Sequence, residues 1–124
     1  MYIFNKSERL NNKVTINKLF EKGQSVVISP FRLLWTENNN SKYSIAQTLI
    51  SVPKRNISLA TKRNVIKRRM NEAFRLNKEK LYAELNERNK QINIAIIYQK
   101  QEIQTYKIIE QKINLLLNRL IKEL

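Results

Sequence analysis

The chain has no cysteine and no histidine. Without cysteine there is no disulfide, no thiolate nucleophile and no Cys-ligated zinc. Without histidine the commonest general base and metal ligand is missing too. Acidic residues are few, ten Asp plus Glu against 24 Lys plus Arg, and no carboxylates stand in a recognisable metal-binding pair. The expectation is a chain with no catalytic side chain and no metal site of its own. One glycine and two prolines leave little material for long irregular loops. No apolar run approaches the roughly 18 residues of a membrane span. The opening MYIFNKSERL lacks the apolar stretch of a signal peptide. A cytoplasmic protein is expected.

What is present fits one domain, residues 1–124, with 42% hydrophobic residues to build a modest core. Ten aromatics and long Ile/Leu-rich segments set the chain apart from disordered compositions. The net charge of +14 is informative about partners rather than about fold. The natural partner of such an excess is a polyphosphate, bound largely through counterion release. A merely solvated basic surface is the bland alternative, and the clustering of the charge argues against it.

Periodicity divides the chain into six elements. Residues 7–22 read as a helix, with Leu10, Val14, Leu19 and Phe20 inward and Ile16 nearby. Ser7 is the expected cap, and Gly23 stands where a helix stops. Residues 24–36 read as a strand bent at Pro30, with Phe31, Leu33 and Trp35 on one face. Residues 37–42, ENNNSK, read as a turn, and 43–52 as a second strand in a hairpin with the first. A long helix starts at Ser58 or Thr61 and runs to about Asn89, with Ile66, Met70, Ala73, Phe74, Leu81 and Leu85 on one stripe. INIAIIYQ, residues 92–99, reads as a strand buried on both faces. Residues 105–124 form a last amphipathic helix with Tyr106, Ile109, Ile113, Leu116, Leu117 and Leu120 inward. The predicted fold class is α+β, an α-β-β-α-β-α two-layer sandwich of a small mixed sheet and helices.

Residues 54–80 carry ten basic side chains against Glu72 and Glu79, which is +8 of the net +14. On a helix, Asn64, Lys67, Arg68, Asn71, Arg75 and Lys78 line one flank of the apolar stripe. Lys62, Arg69 and Lys80 line the other. Arginine forks suit phosphate oxygens, and amides reach phosphates, ribose hydroxyls or bases. A solvated helix face knitted by i,i+4 ion pairs is the competing reading, and it lacks acidic partners. The flank fits a polyanion without choosing among RNA, DNA and a membrane surface.

Here the sequence resembles the protein component of bacterial ribonuclease P. That family carries a helix of the form Arg-Asn-Arg-x-Lys-Arg, and Arg63-Asn64-Val65-Ile66-Lys67-Arg68 is similar to it. Glu72-Ala73-Phe74-Arg75 looks like the continuation. Ser51-Val52-Pro53-Lys54-Arg55 resembles the family's strand end, and Leu19-Phe20-Glu21-Lys22-Gly23 resembles the close of its Phe-x-x-Val-Phe-x-x-Gly signature. The resemblance spans about residues 7–120. Four features depart from it. Val65 stands for the second motif arginine, Asn71 for an arginine one turn later, and Ile16 for the first aromatic; NISLAT lacks the usual glycine.

The resemblance implies a left-handed βαβ crossover, an exception to the right-handed rule. It implies catalysis by an RNA subunit that cleaves the 5′ leader from precursor tRNA. Mg2+ would be held mainly by that RNA. By position, Arg63, Asn64, Lys67, Arg68 and Arg75 would contact ribonuclease P RNA, with Lys54 and Arg55 extending the surface. Lys62 and Arg69 would make up for the cation that Val65 does not supply, and Asn71 belongs to the same face. Phe20 would hold the precursor tRNA 5′ leader, with Ile16, Arg32 and Leu34 beside it. Phe20 and Ile16 also read as core, Leu34 as packing, and Asn64 as a helix cap. No DNA or membrane partner is expected. A ribosomal or nucleoid protein is the main alternative, and membrane-surface binding through the basic helix a more distant one.

Overall fold

The computed structural model describes residues 6–38 and 45–124. Four helices and four strands follow in order: α1 (Lys13–Lys22), β1 (Gln24–Ile28), β2 (Phe31–Glu37), β3 (Ala46–Ser51), α2 (Ala60–Asn77), α3 (Glu79–Glu87), β4 (Ile92–Tyr98) and α4 (Tyr106–Glu123). A 3-10 turn, Lys6–Glu8, precedes α1. The fold class is the mixed α+β one expected. The sheet runs β1-β2-β4-β3, with β1–β2 and β2–β4 antiparallel and β3–β4 parallel. The β3–β4 pair is joined through α2 and α3.

The structure differs from the sequence reading in five places. The first helix begins at Lys13, because Asn12 rather than Ser7 caps it; its Oδ1 accepts from the Val14 and Thr15 N–H groups at 3.0 and 3.2 Å. Val14 accordingly points outward, 74% exposed. The stretch 24–36 is a hairpin, not one strand: Ser29 and Pro30 form a two-residue reversal, with a cis bond, between the paired Ile28 and Phe31. β3 then pairs with β4 rather than with β2, since β2 already has β1 on one edge and β4 on the other. Tyr43 and Ser44, the expected start of that strand, and residues 39–42 of the expected turn lie outside the described residues. The long helix divides at Lys78: the Asn77 side-chain amide donates to the Ala73 carbonyl at 2.7 Å, and α3 restarts at Glu79. Neither Ser58 nor Thr61 caps α2; Leu59 occupies that position without a side-chain bond.

β4 is buried on both faces along all seven residues, as its apolar run predicts. On one face Ile92, Ile94, Ile96 and Tyr98 meet Phe31, Leu33, Trp35 and the inward stripes of α2, α3 and α4. The predicted inward residues of α2, α3 and α4 are buried there, with Tyr106 half-buried at the margin. On the other face Ala95 and Ile97 form a smaller cluster with Leu34, Leu10 and Leu19, and Ile16 packs against it. The sheet thus has a large core beneath α2 and α4 and a small one beneath α1.

The 3-10 turn is fixed to this frame. The Leu10 N–H donates to the Thr48 carbonyl at 3.0 Å, and Gln47 Nε2 to the Ser7 carbonyl at 3.2 Å. Lys78 Nζ lies 2.5 Å from Glu8 Oε2 and 5.0 Å from the centre of the Tyr82 ring. Burial raises the Tyr82 hydroxyl well above the ordinary tyrosine range, and the Glu8 carboxylate adds to the shift.

Candidate nucleic-acid interface

α2 buries Ile66, Met70, Ala73 and Phe74 completely and turns its polar side outward. Asn64, Lys67 and Arg68 are exposed and, with Thr61 and Val65, line one shallow recess. Arg68, Asn71, Glu72 and Arg75 line the next, together with Arg9. The flank predicted from helical periodicity is therefore continuous from Asn64 to Arg75. Lys54 and Arg55 are exposed on the turn that enters α2, and Lys62 is exposed on its first turn. Glu72 accepts from Arg75 Nε at 2.7 Å, an i,i+3 pair. That pair leaves the flank strongly cationic, and exposed pairs of this kind contribute little to stability.

Three cations of the cluster are engaged with the fold. Arg63 Nη1 donates to the Ile57 and Ser58 carbonyls at 3.0 and 2.7 Å. It thereby ties the segment entering α2 to its first turn, where no side-chain cap exists. Arg69 Nη1 donates to the Gln104 carbonyl at 2.6 Å and so anchors the loop leading into α4. The same loop is held from beneath by Tyr98, whose hydroxyl donates to the Glu102 carbonyl and accepts from the Gln104 N–H. Lys78, expected on the outward flank, is buried against Glu8. The long cationic stems can pack while their heads reach nearby acceptors.

On the α1 side of the sheet the candidates separate. Phe20 is 47% exposed, next to the fully buried Leu19. Ile16 is half-buried against the small core. Arg32 is half-buried, and its Nε donates to Ser25 Oγ at 3.2 Å across the hairpin. Leu34 is a correction: it is 2% exposed, sealed under α1 with Leu10 and Leu19, and has no surface to offer a ligand. Val27, which the sequence did not single out, pairs with Arg32 in register and is 61% exposed. An exposed valine on a short strand carries little signal in the sequence alone.

Among the described residues no group of three or more Asp and Glu could hold a metal ion. Described carboxylates pair with cations instead, Glu8 with Lys78, Glu84 with Arg88 and Glu37 with Lys90. No described helix is long and apolar enough to cross a membrane.

Comparison with known proteins identifies the family and the fold. Residues 4–121 match the family profile described as Ribonuclease P. A ribonuclease P protein component from Porphyromonas gingivalis is 34% identical over 106 residues, covering 86% of this chain and 77% of that protein. The RNase P protein from Thermotoga maritima superposes with a TM-score of 0.69 at 27% identity, over 90% of this chain and 96% of that one. The Staphylococcus aureus RNase P protein shares the fold, with a TM-score of 0.74 at 23% identity over 93% and 96% of the two chains. The chain belongs to the ribonuclease P protein family, the protein component of a tRNA-processing endoribonuclease with an RNA partner.

Proposed function

We propose that this chain binds the catalytic RNA of ribonuclease P through the outer flank of α2 and holds the 5′ leader of precursor tRNA on its α1 side. The observation that carries this reading is the continuous row Asn64, Lys67, Arg68, Asn71 and Arg75, in whose two recesses Glu72 is the one carboxylate among the described lining residues. Such a row neutralises phosphates and releases counterions along a rigid rod. Lys54, Arg55 and Lys62 extend it at the start of α2. Arg63 and Arg69 support it by fixing the segments at either side.

The leader surface combines the half-exposed Phe20 ring with Arg32 and the Ile16 margin. Rings and guanidinium groups hold single-stranded RNA by stacking and charge, with little demand on sequence. Hydrolysis with Mg2+ held by RNA phosphates asks the protein for positioning and electrostatics only. A chain without histidine or cysteine, and with no carboxylate cluster among its described residues, suits that division of labour, and the cytoplasm is where its substrate would be met.

Reconstitution with the source organism's RNA subunit and a precursor tRNA tests the proposal. Protein alone should not cleave. Added to the RNA, it should raise cleavage most at low magnesium. Cleavage unchanged by the protein at every magnesium concentration would overturn the reading.

A further inference from the structure

We propose that Arg9 is an RNA-binding residue, a phosphate contact delivered to the α2 face from outside the helix; this rests on the reading of α2 as the RNA face. Arg9 is exposed and lines the same recess as Arg68, Asn71, Glu72 and Arg75. Three arginines thus line one recess with the carboxylate of Glu72, which accepts from Arg75. Guanidinium forks match the oxygens of a phosphodiester. The α2 flank itself has an amide, Asn71, between Arg68 and Arg75. Arg9 supplies positive charge beside that amide.

The position of Arg9 is built rather than incidental. Its neighbours are both fastened. Leu10 is 4% exposed and donates to Thr48, while Arg9 itself forms a parallel bridge with Thr48. Glu8 is held by the ammonium of Lys78, whose side chain is 4% exposed. With residues 8 and 10 held, Arg9 is placed at the α2 flank, where it lines the recess. The ordering of that backbone is then complete before RNA arrives, which lowers the entropy cost of binding.

The test is equilibrium binding of the full-length protein to the source organism's RNA subunit across a salt series. Arg9→Gln should lower the slope of log affinity against log salt by about 0.9, so that its affinity falls about threefold less than the wild type's between about 50 and 200 mM salt. Arg9→Lys should keep the slope. Arg9→Gln combined with Asn71→Arg should restore it, because the new cation enters the same recess. An unchanged slope in Arg9→Gln, with a lowered slope in Arg68→Ala, would remove Arg9 while leaving the α2 face intact. Unchanged slopes in both would overturn the α2 reading itself. A slope lowered equally in Arg9→Gln and Arg9→Lys would assign the effect to the folding of the segment and overturn the proposal.

Discussion

Arg68 and Arg69 are adjacent in sequence and differ in their work. Arg68 stands exposed between two recesses of the α2 flank. Arg69 reaches the other way and donates to the carbonyl of Gln104 at 2.6 Å. Arg68→Ala should weaken RNA binding and lower the salt slope by about one contact, with the melting temperature unchanged. Arg69→Ala should instead destabilise the fold by about 1–2 kcal/mol, since a partly buried acceptor loses its donor, and leave the salt slope as it was. Urea titration and salt-dependent binding separate the two, and an Arg69 variant that is fully stable but has a lowered slope would return Arg69 to the RNA surface. Phe20→Ala should reduce the preference for leader-bearing over mature tRNA at a stability cost below about 1 kcal/mol, because half the ring is already in water; a larger loss of stability with the preference intact would make Phe20 a packing residue. Helical periodicity in the sequence was enough to divide α2 into its two flanks. It could not tell which guanidinium folds back, because the acceptor of Arg69 lies 35 residues away.

Elements with one strong internal pattern were legible, and elements defined by a tertiary partner were not. The apolar runs of β4 and α4 announce a strand buried on both faces and a one-sided helix, and both formed where expected. The β1–β2 hairpin was hidden because its reversal takes only Ser29 and Pro30, and the Val/Ile/Phe-rich pattern carries straight through them. The pairing of β3 with β4 was hidden for a different reason: a partner more than 40 residues away leaves no local trace. The start of α1 was misread at Ser7, itself a good capping residue; Asn12 holds the cap through the bonds it accepts from Val14 and Thr15. The end of α1 was plain from Gly23, and the structure adds why glycine is needed. A Cβ there would lie 2.4 Å from the Leu19 carbonyl oxygen, which accepts the Gly23 N–H at 2.8 Å. Gly23→Ala should therefore push α1 from its seat and cost about 1–3 kcal/mol in chemical denaturation. A cost near zero would mean that α1 can shift without loosening Leu19 from the small core.

At the scale of the whole molecule, the charge of +14 acts on folding and on binding in opposite senses. Like charges repel in the compact state, and salt relieves that repulsion. RNA binding weakens as salt competes for the phosphates. Raising salt should therefore raise the melting temperature of the free protein, by roughly 4 °C for each kcal/mol gained, while the affinity for RNA falls. A melting temperature that drops with salt would show that exposed pairs such as Arg88–Glu84 and Lys90–Glu37 outweigh the repulsion.

The strand order has a consequence for how the chain is made. β4 is the last strand in sequence and the one that lies between β2 and β3. While a ribosome is still synthesising the residues before Ile92, the β1–β2 hairpin and β3 have no common neighbour. The apolar stripes of α2 and α3 have only part of their eventual seat. The emerging chain is thus a hairpin and a strongly cationic helix without a closed sheet. Arrival of seven buried residues at the centre, all but Asn93 apolar, joins both halves at once. Folding of this protein is in that sense a late event, set by long-range pairing.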